Sequence, residues 1–335
     1  MNARPLAIRF FVLGFFLLCL FLTDIVLGGV SIPLPEIIKA FFNSSHPTWH
    51  TLVWQFRLPR AITCVLAGAS LSSAGLLMQT LFRNPLAGPD VLGLSSGAGL
   101  AVGLVVLAGK NFLLISTAWS LAFAAGLGSV AVLLVMLLIA RTIRDNASLL
   151  IIGLMIAAAT SSLMSLLQFL SKAEDLQFYF LWTMGSVSNV SWSEIEVMVF
   201  VFLISGLICL ALLKPLNGWL LGENYARSLG IDVGRSRLLI VVAAGLLTGV
   251  VTAFCGPIAF VGLAVPHLAR LVMQTTNHKL LIPAVMAGGA ILLLFCDVIT
   301  QATSGVQSIP LNAVTSIIGA PIVIWQVMRF KKISV

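Results

Sequence analysis

Charged residues are scarce in this chain, and their scarcity excludes a soluble fold. Of 335 residues, 19 are Lys or Arg and 11 are Asp or Glu, which makes 9% charged against 59% hydrophobic. A soluble domain needs about 25% charged residues to cover its surface. The chain therefore belongs in a lipid bilayer, and its continuous apolar runs favour helices over a β-barrel.

Carboxylates are missing from the middle of the apolar stretches, and the few cysteines form no pattern. The acidic residues fall near span ends or in loops, which argues against a secondary transporter that couples to protons or sodium through mid-membrane ionisable groups. Cys19, Cys64, Cys209, Cys255 and Cys296 show neither C-x-x-C nor ligand spacing. They indicate buried, inert thiols, and we expect neither a metal site nor a cofactor.

Ten apolar stretches predict an all-α polytopic membrane protein with about ten transmembrane helices, since most approach the roughly 20 residues that cross the hydrocarbon core. The 261–272 stretch is short and lies close to Pro257 and Pro266, so a broken or tilted helix is expected there. The first stretch is interpreted as a retained span and not as a cleaved signal. The ten stretches are residues 10–28, 61–81, 92–108, 112–140, 149–170, 197–213, 238–254, 261–272, 280–295 and 311–328.

Basic residues concentrate on one side of these spans. If the N-terminus lies inside, 14 of the 19 Lys and Arg fall on the inner side and the other 5 on the outer side. This bias predicts that both termini are cytoplasmic. The net charge of +8 then reflects topology, and no nucleic-acid partner is expected.

The longest polar interruption, residues 214–237, must stand outside the bilayer. Gly222 separates two short helices, the second from Glu223 to Leu229 with Gly230 as its C-terminal cap. Apolar side chains at Leu220, Leu221, Tyr225 and Leu229 are left on an exposed element, as expected where a partner protein packs. The alternative is an amphipathic helix that lies on the lipid surface.

Two arginines, Arg57 and Arg60, stand at a predicted helix entrance on the outer side, three residues apart and thus on one face. Arginine prefers the inner side, so a pair outside indicates a site for an acidic partner. Snorkelling of both side chains into the membrane interface is the alternative.

A stripe of small and polar residues runs along one face of the 149–170 span. Leu154, Ala158, Ser161, Ser165 and Gln168 follow a 4-3-4-3 spacing, which places them on one side of a helix. Such a stripe faces either another helix or a water-filled pathway.

The segment from Gly93 to Gly97 matches the G-x-S-x-G pattern of serine hydrolases only superficially. It opens an apolar helix instead of following a strand, and no Asp or His is expected at a compatible depth. Close helix packing through small residues is the preferred interpretation, as it is for Gly68 with Ser72 and Gly245 with Gly249.

Several motifs, in order along nearly the whole chain, resemble the FecCD/BtuC-type permeases, the membrane subunits of type II ABC importers for iron chelates, haem and cobalamin. The matching blocks are Arg57-Leu-Pro-Arg60, Arg83-Asn-Pro-Leu-Ala87, Pro89-Asp90, Ser96-Gly-Ala98, Met184-Gly-Ser186, Ala226-Arg-Ser-Leu-Gly230, Gly256-Pro-Ile258, Val265-Pro-His267 and Gly319-Ala-Pro321.

The resemblance implies a single permease domain over residues 1–335 in a bacterial cytoplasmic (inner) membrane. Its expected partners are a second permease subunit, most simply in a homodimer, two cytoplasmic ATPase subunits that hydrolyse ATP, and an extracytoplasmic substrate-binding protein. Residues 214–237 become a coupling element, Arg57 and Arg60 meet acids on the binding protein, and residues 181–186 resemble a short re-entrant helix at the outer mouth. The residues expected to contact the ATPase are Leu221, Glu223, Tyr225, Arg227, Ser228, Leu229 and Gly230.

The 149–170 helix and the last helix are expected to line the pathway at the dimer axis. An iron chelate, siderophore or haem, is placed first as cargo, and cobalamin second. Where the family usually has Arg and Glu ahead of the final helix, this chain has Gln301 and Ser308, which indicates a removed ion pair or an altered docking surface. The candidate pathway residues are Met155, Ala158, Ser161, Ser162, Met164, Ser165 and Gln168.

Overall fold

The computed structural model describes residues 3–42, 47–108, 118–143, 145–303 and 309–331, and the regular structure in these ranges is helical. Ser308 therefore lies outside the described residues. The helices are α1 (Ala3–Val26), α2 (Leu34–Phe42), α3 (Pro47–Thr51), α4 (Leu58–Phe82), α5 (Leu94–Gly103), α6 (Ala118–Thr142), α7 (Asn146–Phe169), α8 (Ala173–Thr183), α9 (Trp192–Ala211), α10 (Leu213–Trp219), α11 (Glu223–Ser228), α12 (Val233–Cys255), α13 (Val261–Met273), α14 (His278–Ala302) and α15 (Leu311–Lys331).

Seven of the described helical segments are long and apolar enough to cross a membrane, and three shorter apolar helices accompany them. Each of the ten overlaps one of the stretches found in the sequence, so the all-helical membrane fold is confirmed. The seven are Leu6–Val26, Thr48–Phe82, Trp119–Ala140, Ala147–Phe169, Trp192–Ala211, Val233–Cys255 and His278–Ala302, and the shorter three are Leu94–Leu107, Val261–Met273 and Leu311–Trp325.

Helix α4 runs through the centre of the bundle. In its most apolar 18-residue window 83% of the residues are buried, whereas none are buried in the corresponding window of α1. Helices α9, α12, α13 and α14 pack around α4. Since lipid tails are as apolar as leucine, close packing and not hydrophobicity holds such neighbours together.

Small residues on α4 allow this packing. A Cβ added to Gly68 would lie 2.2 Å from the Gly289 carbonyl oxygen of α14, and one added to Gly75 would lie 1.8 Å from that of Gly262 on α13. The hydroxyl of Ser72 donates to the Val285 carbonyl at 2.9 Å. The small-residue interpretation of Gly68 with Ser72 therefore agrees with the contacts.

Of the two expectations for residues 261–272, a broken or a tilted helix, the broken helix is not found, because α13 continues without interruption from Val261 to Met273 with Pro266 inside it. Proline has no N–H to donate to the carbonyl four residues earlier, which here is Gly262. Gly75 of α4 approaches that same carbonyl. The backbone of a neighbouring helix thus covers the acceptor that Pro266 leaves free.

The connection between α1 and α4 contains more helix than the apolar pattern of the sequence predicts. Helix α2 buries Ile37 and Ala40, three residues apart, against the bundle, and Lys39 bonds to Glu36 on its other face at 2.8 Å. Residues Leu52–Arg57 form a π-helical stretch that joins α3 to α4 without a gap. The apolar helix is therefore longer than the 61–81 stretch, and Arg57 and Arg60 lie within it and not at its entrance.

Local caps fix the starts of the peripheral helices. Asp145 accepts hydrogen bonds from the Ser148 hydroxyl at 2.7 Å and its N–H at 2.8 Å, and these bonds hold the pKa of Asp145 below its usual range. Ser191 and Glu194 form a capping box at α9, which satisfies two N–H groups of the first turn.

Helix α14 relates the two ends of the molecule. His278 opens it and Asp297 lies 19 residues later, a separation of about 28 Å at 1.5 Å per residue. Residues 214–237 lie at the His278 end, which we call the Glu223 end. Asp297 lies at the opposite end beside Arg60, which we call the Arg60 end.

Candidate functional site

Residues 214–237 form two short helices, as the sequence predicts. Helix α11 begins after Gly222, whose φ is +107°, and ends at Ser228, one residue earlier than expected, with Gly230 at φ +79°. Glu223 and Arg227, four residues apart on this helix, form an ion pair at 2.7 Å. Positive φ is the reason for glycine at both borders.

The apolar side chains of this element divide into an inner and an outer set. Trp219 and Ala226 are fully buried and hold the two short helices against the bundle. Leu221, Tyr225 and Leu229 are 62%, 51% and 57% exposed. Ser228, Arg227 and Gly230 are exposed as well, so six of the seven predicted contact residues are exposed and Glu223 is half-buried.

Arg237 at the start of α12 ties the element to its surroundings. Its guanidinium donates to Glu223 Oε2 at 3.4 Å and to the Ile143 carbonyl after α6 at 3.1 Å. It also lies 6.0 Å above the ring of Trp219, within the range of a cation–π contact. One side chain thus joins α6, α10, α11 and α12.

A second set of hydrogen bonds leads from the element into the bundle. The Asn217 side-chain oxygen accepts from the His278 N–H at 2.9 Å and lies 2.9 Å from Nδ1 of the same residue. On the other side of the ring, His278 Nε2 lies 3.0 Å from the Thr80 hydroxyl of α4. Asn217, His278 and Thr80, called the Asn217 relay below, connect α10 to α14 and α4.

The predicted pathway residues lie on α7, most of which is exposed in the single chain. Ala158, Ser161, Ser162 and Ser165 are exposed, Gln168 is half-buried, and Met155 is 60% exposed. The hydroxyls of Ser162 and Ser165 donate to carbonyls one turn back, at Ala158 and Ser161. Their polarity is therefore partly satisfied within α7.

Met164 differs from the other residues predicted for the pathway. It is 7% exposed and packs with Tyr179 in a small core cluster, and a Cβ on Gly103 would lie 2.4 Å from its sulfur. At 100° per residue, Met164 lies about 100° around the helix from Ser165, on the buried side of α7. Met164 nevertheless lines a cavity of about 220 Å³ together with Ser161, and its place in the pathway stays a prediction.

Two cavities border the exposed face of α7. One of about 220 Å³ is lined by hydroxyl groups from three helices, and another of about 580 Å³ lies between Gln168 and α8. Tyr179 and Thr183 line both. The hydroxyl-bearing residues of the smaller cavity are Ser95, Ser96, Thr160, Ser161, Tyr179 and Thr183.

The short helix near the Arg60 end lies earlier than expected. Helix α8 ends at Thr183, so residues 181–186 cover only its last turn and exit. There the Ser186 N–H donates to the Cys255 carbonyl at 2.8 Å, and the Asn312 N–H donates to the Met184 carbonyl at 3.1 Å. The exit of α8, the end of α12 and the start of α15 meet at this junction.

Ser95 has a carboxylate partner that the sequence analysis excluded. Its hydroxyl donates to Asp90 Oδ1 at 2.5 Å. The glycines of the same segment pack as expected, because a Cβ on Gly97 would lie 2.8 Å from the Gly128 carbonyl of α6. The Asp90 bond fixes the turn before α5.

Arg57 is not a surface residue. It is 7% exposed, and its guanidinium donates to the carbonyls of Ile25 at 3.0 Å, Val26 at 2.8 Å and Val30. The last carbonyls of a helix lack partners within it and attract cations. Arg57 therefore serves the C-terminus of α1, and its open position for docking, expected from the sequence, is not found.

Arg60 also forms an ion pair within the chain, but its side chain lines an open cavity. Its Nε and Nη2 donate to the two oxygens of Asp297 at 2.6 and 2.7 Å, in the two-pronged geometry that arginine favours. Its side chain is 22% exposed. It lines a cavity of about 390 Å³ with Asp297, Thr300 and Gln301, opposite residues 184–189.

Gln301, at the position where the family usually has Arg, makes two side-chain contacts of its own. Its amide nitrogen donates to Asp24 Oδ1 at 2.7 Å and to Asp297 Oδ2 at 2.9 Å. Cys64, which the sequence treats as isolated, has its sulfur within 4.8 Å of an oxygen of each carboxylate. Sequence reasoning missed Asp24 and Cys64 because they lie on other helices, far along the chain.

Comparison with known proteins agrees with this architecture. The FecCD transport family matches residues 16–329. The vitamin B12 import system permease protein BtuC of Klebsiella pneumoniae is 37% identical over 277 residues, covering 83% of this chain and 82% of the relative. BtuC of Salmonella arizonae is 38% identical over 277 residues, with 83% of each chain covered.

Two solved structures share the fold. One, described as an inward-facing conformation of a metal-chelate type ABC transporter, superposes with a TM-score of 0.82 at 30% identity and covers 96% of this chain and 99% of its own. PsaBC from Streptococcus pneumoniae, in complex with Fab, gives a TM-score of 0.54 at 12% identity over 87% of this chain and 94% of its own. At that identity the second supports the fold alone.

Proposed function

The chain belongs to the FecCD transport family, whose members are permease subunits of type II ABC importers, and from this premise we propose that its cargo is vitamin B12. The observation that carries the proposal is the 37–38% identity to BtuC proteins over more than four-fifths of both chains. The order of cargoes expected from the sequence, iron chelate before cobalamin, is reversed by these relatives. The metal-chelate description of the solved structure does not oppose vitamin B12, which is itself a chelated metal.

The pathway lies along the exposed face of α7, between this chain and a second copy. Exposed Met155, Ser161 and Ser165 offer apolar and hydroxyl groups side by side, which suits a bulky cargo with both kinds of surface. Polar groups on a membrane-spanning helix face a protein neighbour or water and not lipid. Helix α15 carries the exposed Ile317 and Ile324, which supports its place in the same dimer interface.

Residues 214–237 couple the permease to an ATPase at the Glu223 end, in the cytoplasm, where both termini lie. The support is the exposed apolar surface of Leu221, Tyr225 and Leu229, held rigidly from beneath by Trp219 and Arg237. Exposed aromatic and aliphatic anchors of this kind characterise binding surfaces. Two ATPase subunits, one per permease, carry out the hydrolysis.

Replacing Leu229 by Asp tests the coupling surface. A charge in the centre of an apolar contact should weaken ATPase binding and reduce both stimulated hydrolysis and uptake, while insertion into the membrane is unchanged. Leu229→Met keeps the apolar surface and serves as the matched control. Normal uptake by the Leu229→Asp protein would show that the surface faces lipid instead.

The Arg60 end receives the binding protein. Arg60 supports this proposal through its position on the open cavity, whereas Arg57 contributes by fixing the end of α1. A partly solvated contact between Arg60 and a carboxylate is worth about 1 kcal/mol. Its main contribution would be to the rate and orientation of association.

Competition uptake decides the cargo. The permease is reconstituted in vesicles with its ATPase and binding protein, and labelled cyanocobalamin is offered against a ferric siderophore and haem. We expect ATP-dependent accumulation of cyanocobalamin that neither competitor reduces. Transport of the siderophore or haem alone would refute the cargo and leave the family assignment standing.

A further inference from the structure

Two buried carboxyl groups share one arginine at the Arg60 end. Asp24 on α1 and Asp297 on α14 are each 1% exposed. One amide nitrogen, from Gln301, donates to both of them, so the two groups lie on either side of a single donor. Two negative charges on either side of one donor repel each other, so the simultaneous ionisation of both groups is disfavoured.

Positive charge at this cluster is limited to one side chain among the described residues. Arg60 binds both oxygens of Asp297, while the guanidinium of Arg57 is occupied by three backbone carbonyls. Lys39 and Glu36 on α2 pair with each other, and Cys64 supplies no cation. The exit of α8 and the start of α15, at residues 184–189 and 309–312, contain no titratable side chain.

Asp24 lacks the contacts that an ionised carboxylate requires. Gln301 donates to its Oδ1, but its Oδ2 is buried and accepts no hydrogen bond from any described residue. A buried ionised carboxylate with one neutral donor and an open oxygen is strongly disfavoured. A neutral carboxylic acid at the same place needs only to direct its own O–H at the neighbouring carboxylate.

We propose that Asp24 and Asp297 form a proton-binding site in which one proton, carried by the Asp24 carboxyl, makes the group of two carboxyls and one guanidinium neutral. The proton exchanges with the medium at the Arg60 end through the cavity of about 390 Å³ that Asp297 and Gln301 line. Release of the proton leaves a net negative charge between α1 and α14, and we expect it to weaken the contact between these helices.

Infrared spectroscopy of the permease in lipid nanodiscs tests the proton directly. The carbonyl stretch of a protonated acid is separate from that of a carboxylate and shifts in D2O. We expect such a band at neutral pH in the wild type, its loss on alkaline titration, and its absence from Asp24→Asn. Glu194→Gln removes a carboxyl that is also buried but belongs to the capping box of α9, and as the matched control it should keep the band.

Thermal stability gives a second measurement. An unfolded aspartate has released its proton at neutral pH, so the folded state binds one proton more and its stability should fall as pH rises. For one proton the folded-to-unfolded ratio changes by up to about tenfold per pH unit. Asp24→Asn, which mimics the neutral acid, should remove this dependence.

Gln301→Arg keeps the test decisive if Asp24→Asn does not fold. A second cation between the two carboxyls should displace the proton and abolish both the band and the pH dependence. The proposal is overturned by a missing acid band in the wild type, by a band that survives in Asp24→Asn or Gln301→Arg, or by a stability that follows sodium or potassium concentration at fixed pH.

Discussion

Replacement of Arg57 by alanine separates a structural role from a docking role. In the structure the guanidinium donates three hydrogen bonds to backbone carbonyls, some in the last turn of α1 and some just after it. Hydrogen bonds from a charged donor contribute about 1.5–3 kcal/mol each. Val30 is 51% exposed, so its carbonyl regains water, and removal of a buried charge offsets part of the loss. We expect a net destabilisation of about 3 kcal/mol.

The assay uses the chain's own thiols. Cys64, Cys209, Cys255 and Cys296 are buried, so a thiol-reactive fluorophore reports unfolding as temperature rises. A loss of about 3 kcal/mol should lower the midpoint by roughly 4 °C for a chain of this size. Lys39→Ala, at a side chain that is 61% exposed, is the control and should change stability by less than about 0.5 kcal/mol.

Association with the binding protein supplies the refutation. If Arg57 only holds the end of α1, Arg57→Ala should bind the binding protein at the wild-type rate below its unfolding temperature. A variant that unfolds at the wild-type temperature but associates slowly, with a weakened dependence on salt, would show that Arg57 is a docking residue and that the structural reasoning is wrong.

Two further substitutions test the pathway face and the central packing. Ser165→Phe should reduce uptake towards background by narrowing the passage. Leu163→Phe, about 160° around the same helix and also exposed, is the control and should leave uptake unchanged. Equal effects of the two substitutions would contradict the pathway. Gly75→Ala should destabilise the fold by about 1–3 kcal/mol through overpacking. Gly14→Ala, whose Cβ would meet nothing within 4 Å, is the control and should not destabilise the fold. An unchanged unfolding temperature for Gly75→Ala would contradict the close approach of α4 and α13.

The features predicted from the sequence are those with local causes. Continuous apolar runs locate the ten hydrophobic helices, and Gly222 and Gly230 locate the short helices of residues 214–237. The stripe on α7 follows from helical periodicity alone. In each case the signal lies within one or two turns of the chain, where sequence spacing and spatial distance agree.

The features that were missed depend on contacts between distant parts of the chain. Arg57 was expected to dock a partner because arginine is uncommon on the outer side, but the carbonyls that it binds, at and just after the end of α1, lie 27–32 residues earlier. Gln301 was interpreted as a lost charge, whereas it joins Asp297, four residues away, to Asp24, 277 residues away. Nothing in local composition shows that Met164 falls on the buried side of α7, since its neighbours Leu163 and Ser165 are exposed.

Through the Asn217 relay, a movement of residues 214–237 can tilt α14 and displace its opposite end. The helix is held at His278 by the element that we propose to follow the ATPase, and its far end carries Asp297 and Gln301. Over about 28 Å, a tilt of about 5° displaces the far end by about 2.5 Å, nearly the length of the 2.7 Å bond between Gln301 and Asp24. A tilt of this size is large enough to break the bond between Gln301 and Asp24 and so to separate α14 from α1 at the opposite end.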